Sequence, residues 1–246
     1  MNSQLIYFFT DFGTDGPYLG QMETSVLALA PKARVINLLA DAPASNPLAS
    51  AYLLAALLPQ LPENAILVCV IDPGVGGERD ALLLRTGGRT LIGPDNGLLA
   101  VCAGIDPRAN IHRILHDKSQ LSASFHGRDL FAPVAARMLL GENIPLESMD
   151  TSSMIGSGWP GVLEEVIYID HYGNAMTGFP ADQLRDTGRI KQGPHVLRHA
   201  HTFSDARGAE PFWYRNSCGL VELAVNRGRA DEQLDLVVGS RLEILD

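Results

Sequence analysis

Short apolar runs alternate with helix-patterned stretches over the first two-thirds of the chain. Residues 4–9 (QLIYFF) form an apolar run ending at Thr10-Asp11, the pattern of a buried strand. Leu19, Met22, Val26, Leu27 and Ala30 recur at helical spacing until Pro31, which predicts a helix over 19–30. Residues 34–39 (RVINLL) read as a strand. Asn46-Pro47 is a helix cap followed by a first-turn proline, and opens an apolar helix to about Leu58. Residues 65–71 (AILVCVI) are the clearest core strand, and two short runs follow at 81–86 and 90–93. Residues 129–140 (DLFAPVAARMLL) predict a helix that includes Pro133. This alternation predicts an α/β layer on a mainly parallel sheet.

The pattern changes between about 141 and 162, where Gly, Ser and Pro accumulate and the chain reads as a linker. Beyond it, VIYIDHYGNAMTGF, WYRNSCGLVELAV and LDLVVGSRLEIL are strand-like pieces with Gly-bearing turns. We therefore expect an α/β domain over 1–145, a linker over 146–162 and a smaller β-rich domain over 163–246.

Composition narrows the function classes. Hydrophobic residues are 46% of the 246 and charged residues 19%, enough apolar side chain for a packed core. The net charge of −9 is spread over both halves, so neither is basic and a phosphate-tracking nucleic-acid role is disfavoured. A small-molecule partner fits better. Cys69, Cys102 and Cys218 are far apart, so neither a zinc pair nor a disulfide framework is expected, and Cys69 and Cys102 sit in apolar runs. The N-terminus (MNSQLIYFFTDFG) lacks the basic start of a signal peptide, and no apolar run reaches membrane-spanning length. A cytoplasmic location without membrane attachment is the expectation.

Ligands of open α/β sheets sit outside the carboxyl ends of the strands, and three polar clusters lie at or near such ends. Thr10-Asp11-Phe12-Gly13 follows the first strand; Asp11 either accepts a ribose diol or braces a turn. Asp72-Pro73-Gly74-Val75-Gly76-Gly77-Glu78-Arg79 follows the best core strand, with glycines that let backbone approach a ligand. It lacks the order of a phosphate loop, and Asp72 and Arg79 are either a site or an ion pair bracing the loop. Ser124-Phe125-His126-Gly127-Arg128-Asp129 precedes a helix and offers an imidazole for proton handling. Gly93-Pro94-Asp95-Asn96-Gly97 reads as a turn. His195, His199 and His201 have a spacing that could hold a metal, but their loop-like surroundings favour solvated surface. Trp213 and Tyr214 either stack on a base or belong to the core.

Together these motifs resemble the S-adenosyl-L-methionine hydroxide adenosyltransferases, relatives of the fluorinase and chlorinase enzymes. The resemblance is carried almost end to end by TDFG at 10–13, IDPGVGGER at 71–79, GPDNGLL at 93–99, SFHGRDLFAPVAA at 124–136, IDHYGNAMT at 169–177 and NSCGLVELAVNRG at 216–228. It implies an N-terminal α/β domain, a smaller C-terminal β-barrel-like domain, and a homotrimer with sites between subunits. It implies hydrolysis of S-adenosyl-L-methionine to adenosine and L-methionine, with no cofactor and no metal. The family's Asp–Arg–His set matches Asp72, Arg79 and His126. By the same resemblance Asp11 binds the ribose hydroxyls, and Asn174 and the backbone near Asn226-Arg227 read the adenine. Tyr172 stacks near the adenine, Asp170 and Ser217 hold the methionine end, and Phe125 joins the substrate-binding set.

The halogenating relatives have Tyr and Thr at the positions of Asp72 and Val75, and the fluorinase has Ser at Gly127, so the resemblance favours water as nucleophile. Two departures from the family pattern are Gly16, where an Asp is usual, and Ala40, where a His is common. A non-catalytic binder of adenosine or the methionine donor is the main alternative, and a halogenase the lesser one.

Overall fold

The computed structural model describes residues 5–245; Gln4, the first residue of the strand expected at 4–9, lies outside them. The chain divides into two compact units, Met1–Leu54 with Leu61–Trp159, and Ala55–Gln60 with Pro160–Asp246.

The first unit is built on seven strands: β1 (Leu5–Thr10), β2 (Arg34–Leu39), β3 (Ile66–Val70), β4 (Ala81–Thr86), β5 (Arg89–Pro94), β6 (Asn110–Ile114) and β7 (Leu146–Met149). Their order is β2-β1-β3-β5-β4-β6-β7. The pairs β2–β1, β1–β3 and β3–β5 are parallel, whereas β5–β4, β4–β6 and β6–β7 are antiparallel. The expectation of a mainly parallel sheet is thus corrected to a mixed one. Its physical origin is the turn between β4 and β5, where Gly87 and Gly88 take φ of +53° and +75°. Two adjacent residues with positive φ make the tight hairpin turn that matches strand twist.

The helices are α1 (Tyr18–Leu29), α2 (Pro47–Leu57), α3 (Ala100–Gly104) and α4 (Ala132–Leu139). α1 and α4 pack together over the parallel half, whereas α3 packs on β4. Met22 and Val26 of α1 and Val134 and Ala135 of α4 pack with Ile6, Phe8, Val68 and Ile92 of the sheet. Every residue of β3 is buried, as its unbroken apolar run requires. The Asn46 side chain accepts the Ala49 N–H at 3.1 Å and so caps α2. Pro133 stands in the first turn of α4, where its missing N–H costs little. A single π-turn over Gly127–Phe131 precedes it within the stretch read as one helix. Part of the Gly/Ser/Pro-rich stretch 146–162 is ordered on this unit, as β7 and as a segment ending at Trp159.

The second unit contains β8 (Leu163–Ile169), β9 (Ala175–Pro180), β10 (Arg189–Gln192), β11 (His195–His199), β12 (Pro211–Arg215), β13 (Leu220–Val225) and β14 (Glu243–Leu245), with a short α-helix, α5 (Ala230–Gln233). The order is β14-β10-β11-β12-β13-β9-β8, and only β11–β12 is parallel. The residues entering β14 pair with β8 at the far edge: Glu165 bridges Arg241, and the Val166 N–H donates to Ser240 at 2.9 Å. The sheet therefore curls until its edges meet, around a core that includes Val166, Leu197, Trp213, Val221 and Leu223. His195 and His199 lie on β11 rather than in a loop, because Ile190 and Leu197 give that hairpin a buried face. Among the described residues no helix is long and apolar enough to cross a membrane.

Gly93 of β5 passes so close to β3 that a Cβ would stand 2.5 Å from the Cys69 carbonyl oxygen. Gly93→Ala is expected to cost about 2 kcal/mol or more through this overlap. Urea unfolding measures it, and an unchanged midpoint would contradict so close an approach.

Candidate active site

The chain leaves β1 for β2 on one side and returns to β3 on the other. The carboxyl ends of β1 and β3 therefore frame a topological switch point, the usual ligand crevice of such sheets. Asp11 follows β1 directly and Asp72 follows β3 by two residues. A cavity of about 200 Å3 opens there, and its walls include Asp11, Tyr18, Asp72, Val75, Phe125 and His126.

The Arg79 guanidinium closes back onto Asp72. Its Nε donates to both carboxylate oxygens at 3.0 and 3.1 Å, and Nη2 donates to Oδ2 as well. Nη2 also lies 3.0 Å from His126 Nδ1. A guanidinium is only a donor, so Nδ1 accepts and the proton of the neutral imidazole resides on Nε2. Burial, then the Arg79 charge, hold the His126 imidazolium below its ordinary range. The three side chains that the sequence places on two separate loops are thus in one hydrogen-bonded chain beside the cavity.

Local structure fixes both loops. At Gly76, with φ of +81°, a Cβ would stand 2.2 Å from the Ala123 carbonyl, so glycine lets the 72–79 loop touch the loop that carries His126. The His126 loop is tied by Asp129, which accepts the Ser122 N–H at 3.0 Å and pairs with Arg128. The Arg128 contact pulls Asp129 down to about 2. Arg128 in turn reaches Gln21 on α1 at 2.9 Å.

Asp11 accepts the Ser45 N–H at 2.8 Å. Its carboxyl is raised, first by burial and further by the Asp72 charge, with the Ser45 bond opposing. Phe125 meets Tyr18 and Phe12 edge-on, with ring centroids at 5.4 and 5.8 Å. Phe12, Tyr18 and Ser45 are wall residues that motif reading did not single out. Phe12 sits within the TDFG motif at 10–13 and could have been found there; Tyr18, five residues beyond it, and Ser45 lie outside the quoted motifs. Gly16 is exposed, and Ala40 is buried with its carbonyl accepting the Gly13 N–H at 2.7 Å.

The other expected residues lie in the second unit. Asp170 accepts the N–H groups of Tyr172 and Asn174 at 2.8 and 2.9 Å and the Asn174 side-chain amide at 2.9 Å. These three residues form one turn, in which Tyr172 is 73% exposed and Asn174 is buried. The segment after Asn226 and Arg227 is tied to the same turn, through Asp231 N–H to Gly173 at 3.0 Å. Ser217 lies on the turn between β12 and β13, where its carbonyl accepts from Gln60 at 3.0 Å. Nearby on β13, Glu222 is 2% exposed and burial pushes its carboxyl up to about 7, a group the sequence did not flag. Trp213 is core, its indole N–H bonded to Gly188 at 3.1 Å. The His199 ring packs on Trp213 at 4.5 Å, and no metal-holding group of three His, Cys, Asp or Glu occurs among the described residues. Cys69 and Cys102 are buried free thiols.

Removing the Arg79 charge is expected to raise the His126 titration midpoint toward the ordinary histidine value of about 6.5. NMR titration of Arg79→Gln against the parent checks it; an unmoved midpoint would mean that the two groups do not share a field.

The SAM hydroxide adenosyltransferase N-terminal domain matches residues 6–149 and the C-terminal domain of the same family matches 164–243. The (R)-S-adenosyl-L-methionine hydrolase of Salinispora arenicola is 37% identical over 97% of both chains. The enzyme of that name from Thermus thermophilus is 33% identical over 98% of this chain and 99% of its own. A crystal structure of an uncharacterized conserved protein from Thermotoga maritima superposes with a TM-score of 0.83 at 29% identity, covering 98% of this chain and all of the other. Two family domains in order, over a chain matched nearly end to end, place this protein in the SAM hydroxide adenosyltransferase family.

Proposed function

We propose that the protein hydrolyses S-adenosyl-L-methionine to adenosine and L-methionine by in-line attack of water on C5′ of the ribose. The observation that carries this reading is the Asp72–Arg79–His126 chain at the edge of the β1/β3 cavity. Relatives of this chain that bear the hydrolase name support it.

The sulfonium is a good leaving group on a primary carbon, so the protein's task is to hold and orient one water about 3–3.5 Å from C5′. Arg79 stays protonated and stabilises hydroxide-like charge as it develops. His126, with Nδ1 engaged by Arg79, has Nε2–H to orient the oxygen of that water; as the C5′–O bond forms and the C5′–S bond breaks, the proton lost by the water passes to solvent. Asp72 fixes the guanidinium through both its oxygens. Asp11 receives the ribose hydroxyls and Phe125 lines the nucleoside wall. Asn174 and the backbone near Asn226 and Arg227 serve the adenine with Tyr172 stacked nearby, and Asp170 and Ser217 serve the amino-acid end. The displacement needs no metal or redox cofactor.

A halide pocket at Gly127 is disfavoured: a Cβ there would meet Met22 Sδ at 3.1 Å and Phe125 Cε2 at 3.2 Å. The same proposal includes a cytoplasmic homotrimer whose sites lie between subunits. Sedimentation of the active protein is expected to give three chains; a stable, active monomer would remove that part.

Incubation with S-adenosyl-L-methionine should release adenosine and methionine, read by chromatography; tight binding without product would instead favour a non-catalytic binder. Asp72→Ala and His126→Ala should each lower turnover by about 100-fold or more while leaving adenosine affinity within threefold. Full turnover in both would falsify the assigned roles. Neutral His126 is the working form and its pKa lies below the ordinary value. Turnover should therefore hold at neutral pH and fall only as pH drops through that lowered midpoint.

A further inference from the structure

The geometry points to Asn96 as a positioning residue of the site: its side-chain amide anchors the stem from which the Asp72–Arg79 loop springs. The inference rests on the hydrolase reading for its kinetic consequence and on bond geometry for its substance.

The β3 ladder ends in two steps. Its pairing with β5 stops at Val68 opposite Ile92, and its pairing with β1 stops at Val70 opposite Thr10. Ile71 lies beyond both ladders and is fully buried. Its carbonyl therefore needs a donor from outside the sheet. Asn96 Nδ2 supplies it at 2.8 Å. The Asn96 carbonyl oxygen accepts the Leu98 N–H at 3.2 Å, which holds the amide plane and settles which side-chain atom donates.

The neighbouring residue grips the other stem. The Asp95 N–H donates to the Asp80 carbonyl at 3.0 Å, one residue after Arg79. Residues 95 and 96 thus hook both ends of the loop, before Asp72 and after Arg79. The hook is itself wedged. The Asp95 carboxylate accepts the Ile155 N–H at 3.0 Å, and the Trp159 ring occupies the space that a Cβ on Gly97 would need, 2.1 Å away. Asn96 is not among the residues that line the cavity; its bond to the Ile71 carbonyl acts on Asp72, which does line it, and through Asp72 on Arg79. The turn GPDNG at 93–97 is therefore a clamp on the catalytic loop. A misplacement of about 1 Å in such a loop costs on the order of 100-fold in rate.

Asn96→Ser and Asn96→Asp both remove the amide donor; the second keeps the shape and the acceptor for Leu98. In each, kcat for S-adenosyl-L-methionine should fall tenfold or more while KM stays within twofold. In Asn96→Ser, which adds no charge, the NMR midpoint of His126 should rise as Arg79 withdraws. The groups acting on that imidazole are Arg79, Asp72, His116 and Asp129. Parental kcat in a folded variant, or a fall in kcat with an unmoved His126 midpoint, would overturn the proposal. If one variant fails to fold, the other decides. If the parent shows no turnover, the hydrolase reading falls, and the His126 midpoint alone decides the role of Asn96.

Discussion

The first unit's candidate site depends on one guanidinium serving two partners. Arg79 gives its Nε and one Nη to Asp72 and keeps a donor for His126. Both charged side chains are nearly buried, at 9% and 4% exposed. Desolvating such a pair costs several kcal/mol per ion, and the mutual attraction offsets this only when geometry and hydrogen bonding are near ideal. A fork of five planar donors can satisfy a carboxylate side-on and still present an edge to an imidazole; an ammonium cannot. The guanidinium carbon also lies 5.3 Å from the Phe131 ring centre, an apolar face that accepts a weakly hydrated cation. A buried ion pair is poor evidence for stability in itself, so its place beside a cavity is better explained by what it does to His126.

Topology explains why the pair assembles where it does. β5 lies between β3 and β4 in the sheet, and β4 runs antiparallel to it. The chain from β3 to β4 must therefore cross above the carboxyl end of β5, where residues 94–98 turn away. The antiparallel half of the sheet, absent from the simple alternation of strand and helix, is what stretches the 72–79 loop over this turn. The parallel half brings Asp11 to the same rim at the switch point between β1 and β3.

The legible features were those with strong local physics. The continuous apolar run of β3, the Asn46-Pro47 cap of α2 and the polar clusters closing strands are consequences of burial, capping and strand direction, all short-range. The hairpin of β4 and β5 was written in Gly87-Gly88, but two short apolar runs alone do not say which way they pair. β10 and β11 were missed because each contributes one deeply buried side chain, Ile190 or Leu197, and so shows no convincing alternation. β7 was missed for the same reason, its four residues all being partly or largely exposed. Three side chains from two loops were recognised as a set only through the motifs that surround them. Asp170 shows the limit of that approach, since its carboxylate is engaged by its own turn, which residue type and spacing do not disclose.

The charges around the cavity suit a cationic ligand. The Asp11 carboxyl is pushed up, first by burial and further by the charge of Asp72. One guanidinium offsets one of these two acids, and His126 is held neutral, so the rim retains an excess of negative charge. A sulfonium placed between them would relieve that excess in a medium where charges are poorly screened. Cleavage converts the sulfonium to a neutral thioether and leaves the carboxylates as they were. On the proposed reading, the attraction that helps the substrate in is therefore lost when the bond breaks, and the same electrostatics that favour binding also favour release.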